Sequence, residues 1–293
     1  MEQGIIVKAL SGYYYVQDGE ELVTCRARGK FRLDGTSPLV GDHVTYERAK
    51  DGSGTVKTIL ERRNWFVRPA VANIDLMVIV AAAVNPVSDP FLLDRMTSLA
   101  EKHDCDVLIC INKADMDRGD RLYDIYSRAG FSVLRTSAVT GEGVDALSDA
   151  LCGRTAAFSG NSGVGKSSLL NAMEPSLRLM TAEVSDKLGR GRHTTRHVQL
   201  FPLHNGGYLA DTPGFGSFDV EQMESVRKED LQYCFREFAP YIGRCRFNDC
   251  AHLKEPDCAV LEALAAGEIV PSRHISYTKL YEQAAKLKDW EIR

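Results

Sequence analysis

The fold of the central part of this 293-residue chain is decided by the stretch Gly160-Asn161-Ser162-Gly163-Val164-Gly165-Lys166-Ser167. Residues 154–159 before it read as a strand, and residues 167–173 at its end read as a helix. The backbone amides of such a loop can curl around phosphate groups at a helix N-terminus, where the helix dipole favours negative charge. The alternative is a glycine-rich turn without a ligand, but the flanking strand and helix favour a phosphate-binding loop.

A second motif, Asn112-Lys113-Ala114-Asp115, comes before the phosphate loop in the chain. It follows a buried-strand pattern at residues 107–111, which predicts a position at the C-terminal edge of a parallel sheet, where ligands bind. There Asp115 can accept hydrogen bonds from guanine N1 and N2, a pattern that adenine does not offer. We expect Asn112 to brace the loop and the stem of Lys113 to lie along the base. Ordinary GTP-binding domains have these two motifs in the opposite order, so the order indicates a circular permutation.

Two further segments complete a predicted guanine-nucleotide site. A strand-like stretch at residues 132–136 runs into Ser137-Ala138, the usual position of a backbone donor to guanine O6. In Asp211-Thr212-Pro213-Gly214, we expect Asp211 to hold Mg²⁺ through water and the Gly214 amide to sense the γ phosphate. The predicted contacts to GTP or GDP are Asn112, Lys113, Asp115, Ser137, Ala138, Gly160, Asn161, Ser162, Gly163, Val164, Gly165, Lys166, Ser167, Ser168, Asp211 and Gly214.

The expected catalytic groups lie in the phosphate loop and in a first switch. Lys166 would reach the β and γ phosphates, and Ser167 would be a ligand of Mg²⁺. Residues 189–196 are rich in glycine and arginine and match the first switch of a GTPase. Thr195 is its expected Mg²⁺ ligand and catalytic residue, with Thr194 as the alternative.

Phe215 stands where a Ras-like GTPase has a glutamine that orients the attacking water. An apolar ring cannot orient water, so we expect slow intrinsic hydrolysis, because positioning supplies most of the catalysis in phosphoryl transfer. The missing group must come from elsewhere in the chain or from a partner. His193 is the internal candidate, and the alternative for this residue is an exposed loop histidine without a role.

A cluster of metal-binding residue types follows in Cys245, Cys250, His252 and Cys258. Three thiolates and one imidazole complete a tetrahedral shell for Zn²⁺ and leave no position for water, so the predicted site is structural. The alternative is a chance cluster of ordinary thiols. Because metal binding and folding are linked, we expect a chelator to loosen this part of the chain.

Residues 4–64 read as short strands separated by turn signals, which predicts a small β-barrel. Within this segment Arg26, Arg28, Lys30 and Arg32 occupy every second position, so an extended strand would place all four cations on one face. Such a face suits a phosphate backbone, and small five-stranded barrels bind oligonucleotides. The alternative is a solvated strand face without a partner.

The composition limits the class of protein. A net charge of -4 requires any nucleic-acid contact to come from a local patch. The longest apolar run, residues 76–84, is much shorter than the ~20 residues of a membrane helix, and no secretory signal is evident, so we expect a cytoplasmic protein without a membrane partner. Nothing resembles a dimerisation helix, and a monomer is expected. The cysteines outside the cluster are expected to be buried apolar side chains: Cys25, Cys105, Cys110, Cys152 and Cys234.

The pattern along the chain predicts a multidomain α/β protein. The barrel is assigned to residues 1–64, a mostly parallel sheet with helices to residues 65–220, and a helical zinc-binding unit to residues 221–293. In the last unit, helices are predicted at residues 225–238 and 272–288. Because the switch at Asp211 leads directly into this unit, the nucleotide state could be transmitted there along the chain.

Together these motifs closely resemble the ribosome small-subunit-dependent GTPase A family, RsgA (YloQ/YjeQ-like), over the whole chain. The permuted motif order and the spacing Cys-x4-Cys-x-His-x5-Cys carry the resemblance. It implies an OB-fold barrel, a circularly permuted P-loop GTPase domain and a zinc domain. It further implies binding to the 30S ribosomal subunit and its 16S rRNA late in assembly, GTP hydrolysis stimulated by that subunit, and a contribution of His193 to hydrolysis. The alternative function is an RNA-binding adaptor in which GTP or GDP is only a regulatory ligand.

Overall fold

The computed structural model describes residues 1–27, 31, 36–67, 69–177, 198–211 and 225–287. An N-terminal barrel, a central sheet with flanking helices and a C-terminal unit around the Cys3His cluster follow one another along the chain. The predicted fold class is therefore confirmed. In the described ranges, no helix is both long and apolar enough to cross a membrane.

The barrel is built from short strands in which alternate side chains point inward. Ile6, Val16, Val44 and Val56 are fully buried in its interior. The first strand pairs antiparallel with both the second and the fourth, and the third pairs parallel with the fifth, so that the sheet closes on itself. The strands are β1 (Glu2–Leu10), β2 (Tyr13–Asp18), β3 (Glu21–Ala27), β4 (His43–Arg48) and β5 (Gly54–Ile59).

The central sheet begins after a short hairpin formed by β6 (Trp65–Phe66) and β7 (Val71–Ala72). Its strands are β8 (Leu76–Ala82), β9 (Asp106–Asn112), β10 (Ser132–Arg135), β11 (Thr155–Ser159), β12 (Gln199–Pro202) and β13 (Tyr208–Asp211). Five of them are parallel and run side by side in the order β10-β9-β8-β11-β13, and β12 pairs antiparallel with β13. Every residue of β8 is buried, as expected for a parallel strand covered on both faces.

Helices connect the parallel strands and cover the sheet. They are α1 (Pro90–Lys102), α2 (Asp120–Arg128), α3 (Val144–Ala150) and α4 (Lys166–Met173). Helix α1 begins with Pro90 at its first position and with the Asp89 side chain accepting from the Phe91 amide, which satisfies an amide that the helix itself leaves unpaired. The predicted strand-loop-helix context of the phosphate loop is present in β11 and α4.

The barrel and the central sheet are connected by strand pairing as well as by packing. Strand β1 pairs antiparallel with β12 at Lys8 and Gln199, so one hydrogen-bonded sheet runs from the barrel into the central unit. One hydrophobic cluster also extends from Ile6 in the barrel to Met77 and Met96 in the central unit. The barrel is therefore held against the central sheet by both backbone hydrogen bonds and hydrophobic packing.

The C-terminal unit has its own core of aromatic and aliphatic side chains, including Phe235, Phe238, Val260 and Tyr277. Its α-helices are α5 (Ala259–Ala265) and α6 (Pro271–Ala284), the latter close to the helix predicted at residues 272–288.

The prediction of a helix over residues 225–238 is wrong. Residues 225–230 are coil and turn, and two short 3-10 turns follow at Leu231–Cys234 and Arg236–Phe238. Phe235 between them is extended, with φ -114° and ψ 92°. Tertiary packing overrides the helical spacing here, since Phe235 and Phe238 both contact Tyr277 in the core, with ring centroids 5.3 and 4.9 Å from that of Tyr277.

Candidate functional site

The phosphate loop connects β11 to α4 and adopts backbone angles that favour glycine. Gly160 and Gly165 have φ values of 143° and 93°. A Cβ atom at Gly160 would lie 2.2 Å from the Val80 carbonyl oxygen, and one at Gly165 would lie 2.4 Å from Asn112 Nδ2. The glycines of the motif are therefore required both by conformation and by close approach of β8 and β9.

Lys166 lies at the start of α4 with its ammonium inside the loop. Its Nζ donates to the carbonyl oxygens of Gly160, at 2.6 Å, and Asn161, at 2.8 Å. Burial lowers the pKa of Lys166 to about 8. A partly desolvated cation held by carbonyl dipoles is suited to receive a phosphate group. Ser167 and Ser168 follow in the first turn of the same helix, and Ser162 lies exposed at the tip of the loop.

The base motif lies against this loop at the C-terminal end of β9. Asn112 is 2% exposed, and its Nδ2 donates to the Val164 carbonyl oxygen at 2.8 Å. Lys113, at φ 64°, donates from Nζ to the Gly163 carbonyl oxygen at 2.8 Å and also to the Asn85 carbonyl oxygen. Two side chains thus tie the motif that comes first in the chain to the loop that comes second.

Asp115 and Ser137 meet where β9 and β10 end. The fully buried Ser137 donates from Oγ to Asp115 Oδ1 at 2.6 Å and accepts from the amides of Val139 and Thr140 at 3.3 and 3.2 Å. The Ala114 amide donates to the Thr136 carbonyl oxygen at 3.0 Å. The Asp115 carboxylate is therefore held beside the Ser137-Ala138 backbone, as recognition of a guanine edge requires.

Sequence reasoning missed the loop Asn85-Pro86 between β8 and α1. Besides accepting from Lys113, this loop lies close to the phosphate loop, since a Cβ at Gly163 would be 3.3 Å from Pro86 Cδ. Its position after a buried parallel strand was the available signal, because ligands of such sheets bind at the carboxyl ends of the strands.

The expected switch residues fall mostly outside the described ranges. His193, Thr194, Thr195, Gly214 and Phe215 lie there, and their roles stay predictions. Asp211 ends β13 beside β11, which places its backbone next to the strand that leads into the phosphate loop.

Cys245, Cys250, His252 and Cys258 come together in the C-terminal unit, with their ligand atoms all within 4.8 Å of one another. The two Sγ atoms of Cys245 and Cys258 are 3.8 Å apart, and His252 Nδ1 is 3.6 and 3.4 Å from them. Zn–S bonds of about 2.3 Å and Zn–N bonds of about 2.0 Å in a tetrahedron put the donor atoms about 3.5 to 3.8 Å apart. The donor set therefore fits a zinc ion, and the distances among Cys245, His252 and Cys258 are those of a zinc site.

Outer contacts fix the orientation of this cluster. His252 Nε2 lies 2.9 Å from Gln232 Oε1, which leaves Nδ1 directed at the thiols. Glu255 accepts from the backbone amides of Ala251, Leu253 and Lys254 at 2.8 to 3.2 Å and so shapes the loop around His252. Such contacts are typical of a built metal site and not of a chance cluster of thiols.

Four of the five remaining cysteines are buried as predicted. Burial raises the pKa of Cys25 to about 11 and those of Cys105, Cys110 and Cys234 to about 12. The prediction for Cys152 is wrong, because this residue is exposed. It lies in the turn after α3, where Leu151 takes the buried position.

Only one of the four cations of the predicted basic face, Arg26, is among the described residues. Arg26 lies near the end of β3, its guanidinium 4.8 Å from the ring centroid of Tyr13 and hydrogen-bonded to the Tyr13 hydroxyl. Arg28, Lys30 and Arg32 lie outside the described residues. Arg26 and the partly exposed Tyr13 together form a basic and aromatic spot on the barrel.

Comparison with known families identifies two consecutive segments of the chain, which together span residues 3–221. The model described as "RsgA GTPase" matches residues 59–221, and the "RsgA N-terminal domain" model matches residues 3–56. The first match covers the base motif and the phosphate loop, and the second covers the barrel.

Named relatives and solved structures are similar over nearly the whole length. "Small ribosomal subunit biogenesis GTPase RsgA" of Caldanaerobacter subterraneus subsp. tengcongensis is 45% identical over 96% of this chain and 95% of its own. The protein of that name from Geobacillus thermodenitrificans is 43% identical over 98% and 99%. The crystal structure of YjeQ from Thermotoga maritima superposes with a TM-score of 0.83 at 35% identity, covering 98% of this chain and 99% of its own. That of YloQ, described as a circularly permuted GTPase, gives 0.80 at 36%, covering 98% and 96%.

Proposed function

This chain belongs to the RsgA GTPase family, and we propose that it hydrolyses GTP in biogenesis of the small ribosomal subunit, stimulated by that subunit. The relatives are named for this role. In the proposed cycle the protein binds the subunit with GTP late in assembly and leaves after hydrolysis. Such a role places the chain in the cytoplasm, and a monomer is sufficient for it.

One observation carries the assignment of the nucleotide. Asn112 and Lys113 reach across from the base motif to the carbonyl oxygens of the phosphate loop, at 2.8 Å each. The halves of the site are therefore assembled in space although they are reversed along the chain. A phosphate loop alone indicates any nucleotide, whereas Asp115 held by Ser137 adds selection for guanine.

The residues of this chain then have distinct roles. Lys166 exchanges its contacts with loop carbonyl oxygens for contacts with the β and γ phosphates, which it stabilises as charge develops there. Ser167, Thr195 and Asp211 are the proposed ligands of Mg²⁺. When bound, that ion neutralises charge on the phosphate oxygens.

The attacking water needs an orienting group that Phe215 cannot supply. We assign this role to His193 or to a group of the bound subunit, which accounts for a GTPase that is slow alone. If His193 acts, His193→Ala lowers subunit-stimulated turnover. Unchanged stimulated turnover in this variant assigns the role to the subunit.

The barrel is proposed to contact the 16S rRNA through Arg26, Arg28, Lys30 and Arg32. The stacked pair of Arg26 and Tyr13 supports this proposal, because a cation beside an aromatic ring suits both the phosphate backbone and an unpaired base. The zinc unit is proposed to be held together by its metal, with no part in hydrolysis.

GTP turnover measured with and without purified small ribosomal subunits tests the proposal. We expect stimulation by roughly two orders of magnitude or more, the scale on which one positioned acid–base group contributes to catalysis. Large ribosomal subunits serve as the control for nonspecific RNA. The adaptor alternative predicts tight subunit binding with turnover that does not change.

A further inference from the structure

We propose that Asp94 and Arg273 couple the zinc unit to the guanine-nucleotide site through α1, so that ligand binding at either site stabilises the other. The connection consists of described residues and is separate from the chain segment that follows Asp211. The inference rests on the proposed function in one respect, which is that residues 112–115 and 160–167 bind a guanine nucleotide.

The connection starts at residues 245–258, which contain the zinc ligands and are called the zinc loop below. Side chains of α6 donate hydrogen bonds to the backbone of this loop. His274 Nε2 donates to the His252 carbonyl oxygen at 2.8 Å, and the Tyr277 hydroxyl donates to the Ala251 carbonyl oxygen at 2.9 Å. Both side chains project from α6. Order in the zinc loop is thus transmitted to this helix.

Arg273, which precedes His274 in α6, joins that helix to α1. Its side chain is fully buried, and Nη1 donates to Asp94 Oδ1 at 2.7 Å and to Thr97 Oγ1 at 3.1 Å, both on α1. The other edge of the guanidinium binds Glu237 at 2.6 and 3.1 Å. The Asp94 side chain is also fully buried. A relative shift of the two helices would leave a buried charge unpaired, which is strongly unfavourable.

The N-terminal end of α1 leads to the nucleotide site. Ser88 pairs with Ala82 through its amide, at 2.8 Å, and through its Oγ, at 2.9 Å, and so ties the start of the helix to β8. In the same loop, Asn85 accepts from Lys113, which also donates to Gly163 of the phosphate loop. Ordering of the base motif and phosphate loop by a nucleotide therefore acts directly on the segment that begins α1.

A second contact keeps α1 in register along its length. Arg236 in the C-terminal unit donates from Nε to Glu101 Oε1 at 2.9 Å and from Nη1 to the Gly130 carbonyl oxygen at 2.9 Å. Because α1 is fixed to the C-terminal unit in its middle, at Asp94 and Thr97, and at its C-terminal end, at Glu101, displacement of α1 requires displacement of that unit. Coupling of this kind is reciprocal in binding free energy, so a nucleotide must tighten zinc binding by the factor by which zinc tightens nucleotide binding, and we expect the tighter binding to appear as slower loss of zinc.

The test measures zinc loss from the full-length zinc-loaded protein to excess TPEN, in Mg²⁺ buffer with and without saturating GDP. We expect GDP to slow the loss from wild type by about fivefold or more, the lower range of allosteric coupling. The joint variant combines Asp94→Asn, Glu237→Gln and Arg273→Met, which removes the charges with little change of volume. It is expected to bind mant-GDP while GDP no longer changes its rate of zinc loss.

The matched control combines Asp42→Asn and Arg62→Met, a buried carboxylate and a partly buried guanidinium paired at 2.7 and 2.8 Å in the barrel, away from this connection. It should keep the wild-type ratio of rates. A wild type whose zinc loss is insensitive to GDP, or a joint variant that keeps the wild-type ratio, overturns the inference. If the joint variant does not fold, Asp94→Asn alone replaces it, because it removes the charge on α1 while Arg273 keeps Glu237 as its partner, and a ratio equal to wild type has the same meaning. Failure of the proposed function appears separately, as absence of mant-GDP binding to wild type, and overturns this inference too.

Discussion

Asn112→Ala removes the side chain that joins the base motif to the phosphate loop. In the wild type its Nδ2 donates to the Val164 carbonyl oxygen at 2.8 Å, and its Oδ1 accepts from Thr136 Oγ1 at 3.3 Å. The contact is buried, so no bulk water replaces the lost amide. The variant leaves the Val164 carbonyl oxygen without this donor at the point where the loop must present its amides to phosphate.

A buried acceptor that loses its partner costs about 1 to 3 kcal/mol. If this cost falls on the ordered form of the loop that binds nucleotide, the dissociation constant of GDP rises by roughly 5-fold to 150-fold. Any part of the cost that already acts on the free protein lowers its free energy of unfolding instead of its GDP affinity, so the two losses together amount to about 1 to 3 kcal/mol. Both quantities follow from the loss of one contact.

The assay combines mant-GDP titration with urea unfolding, and Asn205→Ala is the matched control. Asn205 Nδ2 also donates to a backbone carbonyl oxygen, that of Ser148 at 2.7 Å, but it lies in the β12-β13 turn away from the nucleotide site. The control should lose stability and keep its GDP affinity. If Asn112→Ala binds GDP within twofold of wild type while losing stability like the control, the contact is structural only and the reasoning is refuted.

The other predictions concern zinc, protonation and thiol access. Gln232→Ala removes the partner of His252 Nε2 and should weaken zinc binding by about 10-fold to 100-fold in a chelator competition, whereas Gln17→Ala on the barrel should not. Burial lowers the pKa of Lys166 to about 8, and its charged form is the one that binds phosphate, so GDP affinity should fall roughly fourfold between pH 7 and 8.5. In Lys166→Arg, GDP affinity should not change over this range. A wild-type GDP affinity that does not change with pH contradicts a phosphate contact by Lys166. In maleimide labelling followed by mass spectrometry, the exposed Cys152 should react first, and early reaction of the buried Cys110 would contradict the packing of β9.

The sequence predicts most reliably what depends on neighbours along the chain. The strand, loop and helix around residues 160–167 and the donor set of the Cys3His cluster are local patterns whose residue types state their chemistry. The barrel follows from turn signals at short intervals. These features required no knowledge of which distant segments pack together.

The features that were missed depend on packing between distant segments. Asp94, Thr97 and Ser98 read as the polar side of an amphipathic helix, yet they are buried because α6 and the 3-10 turns cover that side of α1. The break at Phe235 likewise accompanies packing between distant segments, since the Phe235 and Phe238 rings pack against each other and against Tyr277. Local propensity contains no information on either partner.

The selectivity of the site for its base tests the central claim most directly. Affinities for GDP, ADP and XDP are to be measured in wild type and in Asp115→Asn. Because Asp115 can pair only with the two donors of the guanine edge, wild type should prefer GDP over ADP by on the order of 10⁴-fold. The variant has a side-chain donor in place of a carboxylate oxygen, so it should bind GDP more weakly and XDP more tightly than wild type does. Comparable GDP and ADP affinities in wild type would show that the reversed motifs do not form a guanine site.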